Sequence, residues 1–315
     1  MSPMNICFDV PQNPFPTAVA LGTFDGVHLG HAQVLQSMDT AATQAGLQRW
    51  VYTFKNHPKE VVSPQKIPAL LTSWQEKVTL LQDFMPLEGI VLQSFDTAFS
   101  QQSPEDFVRD VLCRQLHVKH VSVGYNFRFG HQARGNGELL KTMGKKEGFS
   151  VDIVPAYESH EQVVSSSRIR TLLQSGKLAE ALPLLRGSYL VQGKVIHGQG
   201  IAAKFLGVPT ANLELNQERK LLPPKGVYAC QVRINGSDQR YPGILNLGLR
   251  PTFSGEGLSL EVYLLDFEGD LYGQTLQVYF QDFIRAEEKF DGPEALKTQI
   301  HKDIARARQL LQHVR

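Results

Sequence analysis

The chain changes its hydrophobic period near the middle, and this constrains the fold more than any other feature. Between Thr17 and about Val154, short β-rich runs at residues 19–21, 50–54, 90–93, 121–124 and 151–154 alternate with helical stretches. The clearest helical stretches are residues 29–45, 73–84 and 104–116, the last capped by Ser103. Strands separated by helices predict an α/β domain built on a parallel sheet. After two short helical segments (residues 169–174 and 178–185) the character changes at Gly187. From Tyr189 onward, β-rich runs at 189–196, 227–234, 241–247, 258–265 and 276–283 follow one another without intervening helices. Asn235-Gly236, between two of these runs, is a strong hairpin signal. A final helix over 293–312 carries Leu296, Ile300, Ile304, Ala307 and Leu311 on one face. The expectation is an α/β domain over residues 1–186, then an antiparallel, Greek-key-like β-barrel with a closing C-terminal helix over residues 187–315.

Within the first domain, Gly22-Thr-Phe-Asp-Gly-Val-His-Leu-Gly-His31 lies between a strand and a helix. A glycine-rich strand-to-helix turn presents backbone N–H groups to phosphate. His28 and His31 are three apart, so both imidazoles project from one side of the first helical turn. Such a pair can hydrogen-bond a phosphorus centre as charge builds on it. In a parallel sheet, ligands bind at the carboxyl ends of the strands, where this pair falls.

Bulk properties exclude several classes. The 315 residues are 42% hydrophobic and 20% charged, as in ordinary globular proteins, and the net charge of +1 gives no electrostatic case for nucleic acid or membrane partners. No apolar run approaches the ~18 residues of a membrane span. Cys7, Cys113 and Cys230 are too few and too scattered for a disulfide framework or a zinc cluster. The first residues lack a basic region followed by an apolar core, so a cytoplasmic protein with reduced thiols is expected.

Three further patches follow strands of the first domain: Phe54-Lys-Asn-His57-Pro58, Gly124-Tyr-Asn-Phe-Arg-Phe-Gly130 and Ser165-Ser-Ser-Arg-Ile-Arg170. Hydroxyls and a guanidinium at a helix N-terminus suit the outer phosphates of a nucleoside triphosphate. In this order, the four motifs resemble those of bacterial FAD synthetases, which carry a Rossmann-like nucleotidyltransferase module of the HxGH type and a second, riboflavin kinase module. The resemblance implies that residues 1–186 transfer AMP from ATP to FMN, giving FAD and pyrophosphate. It implies that His28 and His31 stabilise the α-phosphate and that Asn126 lies near the transferred group. Gly22, Phe24, Asp25 and Gly26 would shape the turn, and Ser166, Ser167 and Arg170 would hold the β- and γ-phosphates. Ser167 stands where the family usually has threonine, and the hydroxyl is kept.

In the second half, two motifs mislead. Gly198-Gln-Gly200-Ile-Ala-Ala203 fits a dinucleotide fingerprint, but Gly207-Val-Pro209 leaves no room for the helix. Gly187 through Gly193-Lys194 is one residue too long for a P-loop, and Val195 stands where Ser or Thr is required. Residues 198–212 are a better candidate. Thr210 and Asn212, two apart on an extended segment, point their oxygens the same way and suit a hard cation with phosphate. In the alternating run 258–264, Glu261 lies on the face opposite the leucines.

These residues also match riboflavin kinase signatures: Pro-Thr-Ala-Asn (209–212), Pro-x-x-Gly-Val-Tyr (223–228), Asn-x-Gly-x-Arg-Pro-Thr-Phe (246–253), Glu-x-x-x-x-Asp-Phe (261–267) and Arg-x-Glu-x-Lys-Phe (285–290). The resemblance implies Mg²⁺–ATP binding at Thr210 and Asn212, with Glu261 as general base for the ribityl hydroxyl. It places Gly198, Gly200, Lys204, Gly207 and Pro209 around the nucleotide, and Asn246, Arg250 and Arg285 around the flavin. The loops near 198–207 and 246–253 would close over the ligands. The usual loop arginines are missing, so Lys204 supplies the only positive charge there, as a point charge rather than a planar fork. Two alternatives stay open on sequence: a single active module, or a flavin-binding sensor without turnover. An RNA-linked transferase lacks the basic stripe it would need.

Overall fold

The computed structural model describes residues 4–197, 210–215, 219–252 and 255–312. The chain divides into two compact units, one ending at Arg168 and one beginning at Ile169.

The first unit is a six-stranded parallel sheet. Its strands are β1 (Asn5–Cys7), β2 (Thr17–Leu21), β3 (Gln48–Phe54), β4 (Gly89–Gln93), β5 (Val118–Gly124) and β6 (Ser150–Val154), in the order β1-β4-β3-β2-β5-β6. β2 is buried throughout, as a strand covered on both faces must be. Ala18 and Ala20 face the helix α1 (Leu29–Ala45), which contributes Val34, Leu35, Met38 and Ala42. Val19 and Leu21 face the opposite side, packing with Phe107, Val108, Val111 and Leu112. Those four come from Phe107–Gln115, a π-type continuation of the turn that Ser103 caps by accepting the Asp106 N–H. The three-residue β1 had no periodic signal in the sequence.

The chain leaves β2 for β3 on one side and returns to β5 on the other, so the strand order reverses beside β2. The loops after β2 and β5 therefore open into a crevice at the carboxyl ends, the usual ligand site of such sheets. A helix, α2 (Trp74–Gln82), precedes β4 and starts with a reciprocal capping box between Ser73 and Glu76.

The second unit is a closed six-stranded barrel of antiparallel pairs. Its strands are β7 (Tyr189–Ile196), β8 (Ala211–Glu214), β9 (Gly226–Ile234), β10 (Arg240–Thr252), β11 (Gly255–Leu264) and β12 (Thr275–Arg285), ordered β7-β8-β11-β10-β9-β12. The Asn235-Gly236 turn joins β9 to β10 with φ values of 50° and 74°, the left-handed pair that a two-strand ribbon prefers. Alternation separates the two faces. Tyr189, Cys230 and Phe280 align across three strands, nearly inaccessible, and Val191, Val232 and Val278 form the next such layer. The other face of β9 and β10 offers Val227, Ala229 and Ile244 to Ala307 and Leu311 of α4 (Pro293–Leu311). On the same helix Asp303, 3% exposed, receives a bidentate bond from Arg285 at 2.8–3.0 Å and a further bond from Gln299.

Two consequences are measurable. A Cβ on Gly89 would lie 2.4 Å from the Trp50 ring. Gly89→Ala should therefore destabilise the first unit by about 1–3 kcal/mol, read from denaturant unfolding. His120, buried on β5, is bonded by Ser150 and Ser122 on its two ring nitrogens, and burial pushes its pKa below 6.5 against the opposing pull of Asp152. The unfolded chain then binds the proton more readily, so this contribution to stability is present above about pH 6.5 and is lost as pH falls towards the folded value. Melting temperature should drop between pH 7.5 and about pH 5.5, and by less in His120→Gln, which stays neutral.

Candidate active sites

In the first unit, residues 23–27 fold into a turn with φ of 48° at Phe24, 88° at Gly26 and 40° at Val27. Such dihedrals persist only where the surroundings over-determine them. The Asp25 carboxylate accepts N–H bonds from Thr72 (2.9 Å) and Leu71 (3.3 Å), the Gly26 N–H donates to the Thr72 hydroxyl (3.1 Å), and the Ser166 hydroxyl donates to the Asp25 carbonyl (2.9 Å). Asp25 and Gly26 thus brace the turn from behind, while Phe24 supplies its ring to the front.

His28 caps α1. Its Nδ1 accepts the backbone N–H of His31 at 3.3 Å, which assigns the proton of a neutral His28 to Nε2. The two imidazoles stack with centroids 3.6 Å apart at 15°, and the Phe24 ring meets His31 edge-on. Gly30 lets them fit, because a Cβ there would sit 3.2 Å from the His28 ring. Burial, followed by the neighbouring His28 and Lys77 charges, holds His31 well below the usual histidine range. His31 Nδ1 is buried without a hydrogen-bond partner among the described residues. The pair lies at a helix N-terminus, where the dipole disfavours imidazolium.

The pair opens into a cleft of about 720 Å³ that Gly22, Phe24, His28, His31, Asn126, Ser166 and Ser167 also line. Ser166 and Ser167 open the helix α3 (Ser166–Gln174), and Arg170 follows one turn along it. The cleft wall was not anticipated from sequence. Phe54, Phe95 and Phe99 pack edge-on at 5.3–5.8 Å, Phe107 continues the array, and Phe127 stacks on Phe129 at 5.6 Å. Asn56 holds this wall. Its amide donates to the Phe95 carbonyl (2.9 Å) and accepts the Phe95 N–H (2.8 Å). The available signal was the recurrence of phenylalanine just after successive strands.

In the barrel, register brings the kinase candidates into one row. Asn212 lies opposite Glu261, Glu261 opposite Asn246, Asn246 opposite Val227, and Val227 opposite Arg285. Directly paired residues share a face, so this row crosses five strands on the face that α4 partly covers. With strands ~4.8 Å apart, Asn212 and Asn246 flank Glu261 at roughly one strand each, and Arg285 lies roughly 14 Å from Glu261 along the surface. Asn212 is buried, Glu261 accepts from Ser259 at 3.4 Å, and Thr210 is half-buried just before β8. Arg285 is committed to Asp303 and lies over Phe290. Arg250 lies opposite Gly257 in the β10–β11 pair. Gly198, Gly200, Lys204, Gly207 and Pro209 fall outside the described residues, as does most of the loop expected to close over the nucleotide.

Comparison with known proteins identifies both modules. The FAD synthetase family model matches residues 10–168 and the riboflavin kinase model residues 185–311. The bifunctional riboflavin kinase/FMN adenylyltransferase of Haemophilus influenzae is 37% identical over 92% of this chain and 93% of its own. The Escherichia coli K12 protein of the same description is 35% identical over 92% and 91%. A solved structure from Streptococcus pneumoniae, described as a macrolide-efflux protein, superposes with a TM-score of 0.82 at 30% identity, covering 97% of this chain and 99% of its own. No described helix of this chain is long and apolar enough to cross a membrane. With an adenylyl-transfer cleft ahead of a kinase barrel, the chain belongs to the bifunctional riboflavin kinase/FMN adenylyltransferases.

Proposed function

We propose the following division of labour among the residues of the two sites. In the first unit an FMN phosphate oxygen attacks the α-phosphorus of ATP. The new P–O bond forms as the bond to the β-phosphate breaks, and pyrophosphate leaves. His28 donates from Nε2, and His31 from the adjoining ring, to oxygens that gain charge during displacement. The hydroxyls of Ser166 and Ser167, with Arg170, hold the departing phosphates, and Asn126 orients the transferred group. The aromatic wall takes the isoalloxazine ring, for which a stacked and edge-on phenylalanine array is suited. The observation that carries this reading is the cap bond from His31 N–H to His28 Nδ1, because it leaves the proton of a neutral His28 on Nε2 of a ring that lines the cleft.

In the barrel, Glu261 takes the proton of the terminal ribityl hydroxyl as that oxygen attacks the γ-phosphorus of ATP, and ADP leaves. Thr210 and Asn212 offer hydroxyl and amide oxygens, the hard donors that Mg²⁺ shares with nucleotide phosphates. Bound there, the ion would shield phosphate charge. Arg285 and Asn246 stand along the row towards the flavin end. The functional boundary is put after residue 186, two residues into the riboflavin kinase match that begins at 185 and C-terminal to the division of compact units at 168/169. The cytoplasm is the proposed compartment.

Two variants test the assignment in the full-length chain. Glu261→Gln should lower FMN formation from riboflavin about 10²-fold or more while FAD formation from added FMN persists. His28→Ala should lower FAD formation about 10²–10³-fold while the kinase reaction persists. Chromatographic separation of FMN and FAD reads both, and loss of both activities in either folded variant would refute separate sites.

A further inference from the structure

Lys77 has no role in the chemistry above, yet it is 7% exposed beneath the catalytic turn. Its Nζ donates to the Phe54 carbonyl at 2.8 Å and to the Thr53 hydroxyl at 3.2 Å. The Thr53 hydroxyl in turn donates to the Thr23 carbonyl at 3.0 Å, at the first residue of the strained turn. One ammonium therefore joins the end of β3, where the aromatic wall begins, to the turn that delivers the imidazoles. The same segment reaches the turn a second time, since Leu71 and Thr72, just before α2, bind Asp25. Burying an ammonium is costly, and a methionine of similar length would fill the space without that penalty. The charge thus has a task besides filling volume.

We propose that Lys77 is a positioning residue for adenylyl transfer, fixing the imidazole turn against the flavin wall. The proposal rests on the adenylyl-transfer reading of the cleft. The groups around it have opposing effects. Asp25 favours the ammonium and burial disfavours it, so that Lys77 is pushed down to about 8. Its positive charge adds to burial in disfavouring a proton on His31. Glu76, on the same helix, is engaged with the Ser73 N–H of the cap. A proton on His31 would put a second cation into the buried region that holds the stack, and the stack is the proposed donor set.

The test is pyrophosphate release from ATP and FMN by the full-length chain across pH, with riboflavin phosphorylation by the same sample as the control for integrity. Lys77→Met should lower kcat for FAD formation about tenfold or more with little change in the KM for FMN, and should move the acid limb of the kcat profile to higher pH, because His31 loses a positive neighbour. Lys77→Arg, which keeps the charge, should hold the limb at its wild-type position. Thr53→Val removes only the relaying hydroxyl. It should lower kcat about threefold to tenfold without moving the limb, and it preserves the test should the methionine variant unfold. An unchanged kcat in Lys77→Met overturns the proposal, and so does a lowered kcat with an unmoved limb, which would reduce Lys77 to a packing role. Failure of the underlying reading would look different: wild-type enzyme releasing no pyrophosphate, or His31→Ala retaining full rate.

Discussion

The hydrogen bond from the His31 amide to the His28 ring is the constraint on which the candidate site of the first unit depends. It ends the turn, starts α1 and chooses which ring nitrogen of His28 carries a proton. An aspartate or serine would cap the helix as well, but neither would leave a second donor facing outward. The cap therefore sets geometry and protonation together. The left-handed residues before it are tolerated because Thr53, Thr72 and Ser166 each hold one of the turn's backbone groups.

The barrel reaches a comparable result without strain. Antiparallel pairing places Asn212, Glu261 and Asn246 side by side although Asn212 and Glu261 are 49 positions apart in sequence. No loop has to be held to align them, since the ladder itself fixes the spacing. Arg285 joins the same row from the far end of β12, and its guanidinium is oriented by Asp303 rather than left to solvent. The two units thus align their candidate groups in different ways. One uses a braced turn at a sheet crevice, and the other uses the flat regularity of a ladder.

Much of this was legible in the sequence, for physical reasons that also explain the gaps. The β2–turn–α1 unit and the Asn235-Gly236 hairpin are local, so their residues announce them. β1 and β8 escaped as strands because three or four residues cannot display a period. The aromatic wall escaped because Phe54, Phe95, Phe107 and Phe129 come from separate connections and meet only when the sheet is assembled. Asp25, expected to help shape the turn, binds the Leu71–Thr72 backbone, a long-range contact that no local pattern displays. Lys77 reads as an ordinary charged helix position, because one-dimensional periodicity cannot show that its long stem runs inward to β3. The polar row in the barrel depends on register, which no single strand reveals.

The inside-out alternation of the barrel has a consequence for how this half can change over time. Tyr189, Val191, Cys230 and Phe280 fill its interior, while Asn212, Glu261 and Asn246 stand on the opposite pleat of their strands. Neighbouring codons therefore answer to different selective demands, one to the filling of the barrel and the next to its outer polar row. Mutational drift in the filling can proceed under a steady polar surface, and that surface can be retuned with the filling unaltered.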